Sequence, residues 1–261
     1  MFFWREPYET PLSEAIINDD LETIKALKGR KDHLNVRNGL GFSALEIACY
    51  LDKRDYLKIL KTQAKRQIKV IPPKETGVRI LDEVECEKFF HVRYIAHLKF
   101  ENYDLFKRVL RSCPSNLADV VPYSREFQEG CFSDVTVQWI DDMLGYGVFT
   151  NRALKAGDYI GEHVGEVRRI SRFRPRLNAY CLRYPSRKWP FPYYVVDAKY
   201  QGNEMRFVNH SYEPNLVPKL AIDRGLLHQL FFADRDISKG SQLTWNYGED
   251  FWMSREPPVE I

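Results

Sequence analysis

The sequence lacks a cysteine framework, a long apolar run and a strong charge of either sign. Its five cysteines lie 18 to 50 residues apart, and no Cys-X-X-Cys pair occurs. An odd, widely spaced set is typical of reduced intracellular thiols rather than of disulfides or a zinc cluster. The apolar stretches are far shorter than the roughly 18 residues that cross a bilayer, and residues 1–7 show no secretory signal. We therefore expect an intracellular protein with no structural metal and no membrane partner.

The composition is that of an ordinary globular protein, with 44% hydrophobic and 29% charged residues. A net charge of +3 is too small to demand a nucleic-acid partner. A length of 261 residues exceeds that of most single domains, so the sequence predicts two globular units.

The N-terminal third contains a repeat with a period of 33 residues. Thr10–Ala15 returns as Ser43–Ala48, each beginning with a helix-capping residue. The apolar residues that follow recur in step, Ile24 and Leu27 in the first copy and Leu57 and Leu60 in the second. A 33-residue period of helix, turn and helix resembles the ankyrin repeat, and Arg93–Leu110 is a candidate third unit after an insertion. So short an array can dock a protein partner or brace the next domain, and the sequence leaves both readings open.

The C-terminal half is predicted to be rich in short strands, because apolar runs there are bounded by Gly, Pro and Asn. The expected strands are Val135–Ile140, Gly147–Thr150, Tyr159–Val164, Tyr193–Val196 and Leu230–Ala233. A Gly145-Tyr146-Gly147 motif lies between the first two. It is not a dinucleotide-binding fingerprint, since Thr150 replaces the third glycine and no helix pattern follows.

Four motifs occur in order along this half: Gly145–Phe149 (GYGVF), Gly161–Val167 (GEHVGEV), Arg206–Asn215 (RFVNHSYEPN) and Leu243–Gly248 (LTWNYG). Their order and spacing resemble the SET domain of protein lysine methyltransferases. The resemblance implies a β-rich fold in which the Asn-His and Tyr segments cross as a pseudoknot. We predict an α+β protein with ankyrin-like helical repeats in front of the SET fold. The predicted units are helical 1–112, a linker 113–130, the SET domain 131–252 and a tail 253–261.

The resemblance also implies a site. It places S-adenosylmethionine, the expected cofactor, against Gly145, Tyr146, Gly147, Arg206, Asn209, His210 and Trp252. It gives catalytic roles to Tyr247 and Tyr180, and it lines the lysine channel with Trp245, His163 and Cys181. An internal salt bridge is an equally good reading of Arg206, and Tyr193 and Tyr194 compete with Tyr180 for its place.

Three residues depart from the family pattern. His163 stands where the family commonly has Tyr, so the hydrogen bonding near the lysine amine is expected to differ. Trp245 stands where a Phe or Tyr usually controls how many methyl groups fit, so the sequence does not predict the number of methyl groups added. Tyr212 replaces a frequent Cys, no cysteine follows Cys181, and zinc-binding flanking segments are therefore absent. Aromatic packing by Phe251 and Trp252 is expected to close the site instead.

The function implied by the resemblance is transfer of a methyl group to a protein lysine, with histones as the default substrate. The alternative is a catalytically inactive SET and ankyrin binding module, which His163 and Trp245 favour. Eight Lys and Arg residues and no acid lie between Val167 and Val196. This basic 168–188 segment is either a contact for nucleosomal DNA or a solvated loop. The expected location is the nucleus, or the cytoplasm of a bacterium that delivers the protein to a host nucleus.

Overall fold

The computed structural model describes residues 8–28, 30–60, 66–114, 117, 120–122, 134–171, 177–186 and 193–252. Eight α-helices occur among these residues: α1 Pro11–Ile17, α2 Leu21–Leu27, α3 Lys31–Leu34, α4 Ala44–Tyr50, α5 Arg54–Leu60, α6 Glu83–Phe90, α7 Tyr103–Arg111 and α8 Glu249–Trp252. A short 3₁₀ helix spans Glu204–Phe207.

Sixteen short strands complete the described fold. They are β1 Ile68–Ile71, β2 Arg79–Leu81, β3 Arg93–Tyr94, β4 Lys99–Phe100, β5 Val120–Val121, β6 Val135–Asp141, β7 Gly145–Thr150, β8 Tyr159–Glu162, β9 Glu166–Ile170, β10 Cys181–Tyr184, β11 Tyr193–Asp197, β12 Gln201–Gly202, β13 Asn209–His210, β14 Leu216–Asp223, β15 Leu226–Ala233 and β16 Gln242–Trp245. The five strands expected from the sequence are all present, with ends shifted by a few residues.

Two helix pairs form the start of the chain, and they repeat at the predicted spacing. Helices α1 and α4 begin 33 residues apart, as do α2 and α5. Thr10 and Ser43 each accept a hydrogen bond from the third residue of the helix and complete a capping box, which satisfies otherwise unpaired backbone groups. Helix α7 begins at the cap Asn102 and buries one apolar face, in the region of the predicted third unit.

Strands from the first 122 residues enter the sheets of the C-terminal half. The largest sheet has the order β13-β16-β7-β6-β1-β2, in which β1 runs parallel to β6. Likewise β4 pairs with β9, β3 with β12 and β5 with β14. The predicted helical region 1–112 therefore also contains four strands, and the predicted linker holds β5. The tail 253–261 lies outside the described residues.

One hydrophobic core joins the two halves of the chain. Leu12, Ile24 and Phe42 of the helical region pack in the same buried cluster as Val167 and Leu226 of the C-terminal half. A second cluster, which includes Val148 and Leu243, lies beneath the cavity described below. The helical region is consequently part of the folded unit that carries the site.

The turn between β14 and β15 contacts the helical region through Arg224. Arg224 donates to Glu46 Oε1 at 2.6 Å and to the Gly41 carbonyl, and its guanidinium lies 4.0 Å from the centre of the buried Phe42 ring. Burial alone would raise the pKa of Glu46, but hydrogen bonds from Arg224 and Ser43 and the Arg224 charge bring it below its ordinary value. We refer to the contact of Arg224 with Gly41, Phe42 and Glu46 as the hairpin latch.

Within the described part of the chain, no helix has the length and apolar character needed to cross a membrane. The same residues contain no group of three or more His, Cys, Asp or Glu side chains arranged to hold a metal ion.

Candidate active site

A cavity of about 910 Å³ opens between the β6–β7 turn, the β9-β11-β10 sheet and the segment around β13 and β16. This volume is in the range of sites that bind cofactors and small ligands. Nine of the twelve site residues predicted from the sequence line it: Gly145, Tyr146, His163, Tyr180, Cys181, Arg206, Asn209, Trp245 and Tyr247. The other three do not line it but contact residues that do: Gly147 lies beside Asn209, and His210 and Trp252 contact Tyr247.

The glycine motif forms one edge of the cavity because of the turn before it. Asp141 Oδ1 accepts the backbone N–H groups of Met143 and Leu144 at 2.8 and 2.7 Å, which shapes a tight turn. Gly145 then adopts a φ of +70°, a conformation that glycine reaches without strain. At Gly147 the backbone passes so close to its neighbours that a Cβ would lie 2.7 Å from Ile140 Cδ1.

The Asn-His segment reaches the cavity as strand β13, which runs parallel to β16. Asn209 Nδ2 donates to the Tyr146 carbonyl at 3.2 Å and so joins the segment to the glycine motif. Asn215, at the end of the same motif, holds β16 by accepting the Thr244 N–H and donating to the Gln242 carbonyl. Asn209 and the glycine motif, which are more than sixty residues apart in the sequence, thus form one wall of the cavity.

His210 supports the site from behind. Its Nδ1 accepts the backbone N–H of Tyr247 at 3.1 Å, and its ring contacts the rings of Tyr212 and Trp252 edge-on. Burial lowers the pKa of His210, so the imidazole is neutral near pH 7. Its Nε2 and the Trp252 Nε1 are buried with no hydrogen-bond partner among the described residues.

Tyr247 is held in one orientation with its hydroxyl group engaged. The hydroxyl donates to the Val208 carbonyl at 2.8 Å, and burial raises the pKa of the phenol well above its ordinary value. The ring packs against Trp245 and Phe251, with centroids 5.2 and 4.6 Å away. The neutral hydroxyl therefore keeps its oxygen as a hydrogen-bond acceptor on an aromatic wall.

Arg206 is a cation without a described carboxylate partner, so the salt-bridge reading finds no support among the described residues. Its Nε and Nη2 donate to the carbonyls of Ala198 and Lys199, at 3.0 and 3.3 Å. Its guanidinium lies 4.3 and 4.7 Å from the ring centres of Tyr180 and Phe207. Burial lowers its pKa, yet arginine stays charged at neutral pH. A fixed, stacked guanidinium of this kind is suited to binding an anionic group.

Tyr180 and Cys181 stand where the chain enters β10. Tyr180 is about a third exposed and covers Arg206, while Cys181 Sγ accepts a hydrogen bond from Arg168 Nη2 at 3.4 Å. Burial raises the pKa of the Cys181 thiol, which keeps it protonated. Tyr193 and Tyr194, the two alternatives to Tyr180, also line the cavity. Position at the cavity therefore does not distinguish among the three tyrosines.

His163 lines the cavity from the end of β8. Its backbone N–H donates to the Gln229 carbonyl at 3.0 Å, and its Nε2 is buried with no hydrogen-bond partner among the described residues. Burial and the nearby positive charge of Arg206 lower its pKa to about 4. The imidazole is thus a neutral group at physiological pH.

Several lining residues were not predicted from the sequence. Leu144, Leu177 and Gln229 belong to this group, and so does Arg183. Arg183 was visible only as one of many basic residues, and Gln229 lies in an apolar run with no motif around it. Sequence spacing carries no signal for such residues, because the fold alone brings them to the cavity.

Comparison with known proteins identifies this part of the chain. The family model described as the SET domain matches residues 145–248. This segment is a SET domain. Eleven of the twelve predicted site residues fall within it, and only Trp252 lies beyond its end.

The SET domain has relatives among histone-lysine methyltransferases. The chain is 28% identical over 211 residues to a histone-lysine N-methyltransferase, H3 lysine-36 specific, of Kluyveromyces lactis, covering 76% of this chain and 29% of that protein. It is 33% identical over 147 residues to the variant-silencing SET domain-containing protein of Plasmodium falciparum, covering 53% and 6%. The chain therefore spans less than a third of the length of these relatives. A crystal structure of KRYPTONITE with mCHH DNA, H3(1-15) peptide and SAH aligns with 27% identity and a TM-score of 0.40, covering 52% of this chain and 28% of that one.

Proposed function

We propose that this chain is a protein-lysine N-methyltransferase that uses S-adenosylmethionine and acts on histones. The observation that carries the proposal is the convergence, in one cavity, of the Gly145 turn, Asn209, Arg206 and the oriented hydroxyl of Tyr247. The SET domain match and the histone-lysine methyltransferase relatives support the same reaction.

The residues of the cavity fit the cofactor. S-adenosylmethionine carries a carboxylate, for which the stacked Arg206 without a described acidic partner is suited. The open space beside Gly145 leaves main-chain groups of the turn available to a ligand. Gly145, Tyr146, Arg206 and Asn209 would hold the cofactor, with Gly147, His210 and Trp252 supporting them from behind. When bound, S-adenosylmethionine supplies the methyl group as a sulfonium.

The chain's own residues prepare the lysine amine. A lysine in water has a pKa of about 10.4 and is protonated at pH 7, whereas only the neutral amine is a nucleophile. The cavity wall disfavours an ammonium ion, because the cation Arg206 lies on it and its described lining residues include no carboxylate. The Tyr247 oxygen can accept an N–H from the amine, since its own proton is donated to Val208.

The aromatic side chains supply orientation. Trp245, Tyr247 and Phe251 pack against one another at the same wall, and they can hold the alkyl part of a lysine in line with the reacting methyl group. Fixing two reactants in this way removes a large part of the entropy cost of the reaction. Tyr180 lines the same cavity and covers Arg206, and we assign it the second catalytic position.

The helical region is proposed to be an ankyrin-like pair of repeats. The 33-residue offset of both helix pairs and the matching capping boxes support this assignment. We also propose the pseudoknot of the family for the segments around β13 and β16, which lie side by side. We further propose that the basic 168–188 segment contacts nucleosomal DNA and that the protein is located in the nucleus.

The test is transfer of labelled methyl groups from S-adenosylmethionine to core histones and nucleosomes. We expect one histone to be labelled, and we expect Tyr247→Phe to lower kcat by about 100-fold, the usual effect of removing one positioned polar group. Tyr247→Phe should leave cofactor affinity within about twofold, whereas Asn209→Ala should weaken it because the glycine motif loses its anchor. Tyr212→Phe is the matched control, since it removes an exposed hydroxyl beside His210 and outside the cavity.

The binding-module alternative makes a different forecast. It requires calorimetric binding of S-adenosylmethionine with no transfer to any protein, and it is the reading that His163 and Trp245 favour. Absence of cofactor binding would contradict both readings of the cavity.

A further inference from the structure

Two polar side chains lie opposite each other on the paired strands at the wall of the cavity. Where β8 and β15 run antiparallel, Leu230 pairs with Glu162, and the N–H of the next residue, His163, donates to the Gln229 carbonyl. Residues opposite each other in an antiparallel pair extend from the same face, with Cβ atoms about 5 Å apart. Both His163 and Gln229 line the cavity. We refer to these two residues as the polar pair.

The polar pair has hydrogen-bonding capacity that the described part of the protein leaves unused. His163 is only 7% exposed, and its Nε2 has no hydrogen-bond partner among the described residues. Burial beside Arg206 keeps the imidazole neutral, so the ring offers one N–H donor and one acceptor nitrogen, and the Gln229 amide adds a donor and an acceptor. A buried polar group without a partner is destabilising. Its presence in a ligand cavity indicates that a ligand completes its hydrogen bonds.

A series of side-chain contacts connects the polar pair to Tyr247. Phe231 is two residues beyond Gln229 along β15, and residues at this spacing share a face of the strand. The Phe231 ring packs edge-on against Trp245, with ring centroids 5.2 Å apart, and Trp245 packs against Tyr247 at the same distance. The polar pair is thus linked to the residue whose oxygen receives the lysine amine in the proposed function.

Two hydrogen-bond acceptors match an unmodified lysine amine. The neutral amine has two N–H groups and a lone pair that must point at the methyl carbon. The Tyr247 oxygen can accept one N–H, since its own proton is donated to Val208, and the polar pair can accept the other. In each transfer the lone pair forms a bond to the methyl carbon while the carbon–sulfur bond breaks, and the product ammonium releases a proton to solvent.

The first methyl group removes this match. A monomethylated amine has one N–H fewer, so aligning its lone pair for a second transfer leaves one buried acceptor without a partner. Such a group destabilises the arrangement that contains it. The second transfer is therefore slower than the first.

We infer that His163 and Gln229 are specificity-determining residues that limit this enzyme to the addition of one methyl group. The inference rests on the proposed function and deepens it by naming the product.

The degree of methylation over time tests the inference. Unmodified recombinant core histones are incubated with excess S-adenosylmethionine, and mass spectrometry follows the mono-, di- and trimethylated forms of the modified lysine. For the wild type we expect the rate constant of the second transfer to lie below that of the first by about tenfold or more, the effect of one unpaired polar group. Comparable rate constants for the two transfers would overturn the inference.

Four variants assign the limit to the polar pair. His163→Phe and Gln229→Met remove polar groups at little change in volume, and each should raise the ratio of second to first transfer by about fivefold or more. His163→Gln keeps a polar group near the position of Nε2 and should return the ratio to within about twofold of the wild type. Gln67→Met, the same change at an exposed glutamine outside the cavity, is the matched control and should leave the ratio unaltered.

Unchanged ratios in His163→Phe and Gln229→Met would overturn the role of the polar pair. Each variant is checked for cofactor binding by calorimetry, and because the two substitutions lie on different strands, a variant that fails to fold leaves the other to decide.

The proposed function fails separately from the inference. Any transfer to a histone upholds the methyltransferase, and the degree of methylation then decides the inference. No transfer to histones or nucleosomes by a protein that binds the cofactor would overturn the methyltransferase and, with it, the role of the polar pair.

Discussion

At the scale of single residues, burial sets the chemistry of the cavity. His163 illustrates this, because the sequence identifies its place in a motif but not its protonation state. Burial beside Arg206 holds its pKa near 4, whereas a histidine in the unfolded chain titrates near 6.5. The site therefore contains a neutral imidazole, and the motif by itself would not have indicated this protonation state.

This pKa shift predicts how stability depends on pH. Between about pH 6.5 and pH 4 the unfolded chain binds a proton at His163 that the folded chain does not, so acid favours unfolding. We expect the wild type to lose ~2–3 kcal/mol more than His163→Gln between pH 7.5 and 4.5. Urea unfolding at the two pH values measures the difference. Equal losses in both proteins would show that His163 is not held neutral.

Nine of the twelve site residues predicted from the sequence belong to the four compact motifs, and Tyr180, Cys181 and Trp252 are the others. Asn209 and Tyr247 stand within short runs whose spacing is readable, and both line the cavity. Gln229 and Leu177 line it as well, but no local pattern marks them. Their position depends on pairing between distant strands, which a single sequence does not display.

At the scale of elements, the hairpin latch determines how the helical region meets the SET domain. The β14–β15 turn carries Arg224 to Glu46, 178 residues away along the chain. Both residues look like ordinary surface charges in the sequence. The helix starts, strands and caps are local features and could be predicted, whereas this long-range ion pair could not. The sequence left open whether the helical region docks a protein partner or braces the next domain, and the ion pair supports the bracing role.

Removing the latch should cost stability. Arg224→Ala leaves Glu46, which is about a quarter exposed, without its bidentate partner. We expect a loss of about 2 kcal/mol in the free energy of unfolding, between the ~0–1 kcal/mol of exposed pairs and the ~3–5 kcal/mol of buried ones. Chemical denaturation measures it.

Arg37→Ala is the matched control for this measurement. Arg37 also contacts the Gly41 carbonyl and Glu46, but it belongs to the helical region and is more than half exposed. We expect it to cost less than about 1 kcal/mol. Similar losses of unfolding free energy in the two variants would mean that the contact between the helical region and the hairpin does not stabilise the fold more than a surface ion pair does.

At the scale of the whole molecule, length and composition suggested two units, and the structure packs both around a shared core. Phe42 and Leu57 lie in one buried cluster with Tyr194 and Leu227. Strands β1 to β5 also extend sheets of the C-terminal half. The sequence could not show this, because each of these strands has only two to four residues and all of them except β2 pair with a strand far along the chain.

A shared core predicts a single unfolding transition. Helical signal in far-ultraviolet circular dichroism and tryptophan fluorescence should give the same midpoint, because four of the five tryptophans lie in the C-terminal half. Phe42→Ala should lower both midpoints together, at a cost of about 3–5 kcal/mol. Two separated transitions, with only the helical signal affected by Phe42→Ala, would show that the regions unfold independently.

The hairpin latch also constrains how the two regions can diverge. A guanidinium that is fitted to a carboxylate, a carbonyl and an aromatic ring cannot be exchanged alone without leaving the others unmatched. We therefore expect a substitution at 42, 46 or 224 to need compensating changes at the other two positions, so that the helical region and the SET domain cannot vary independently at this contact.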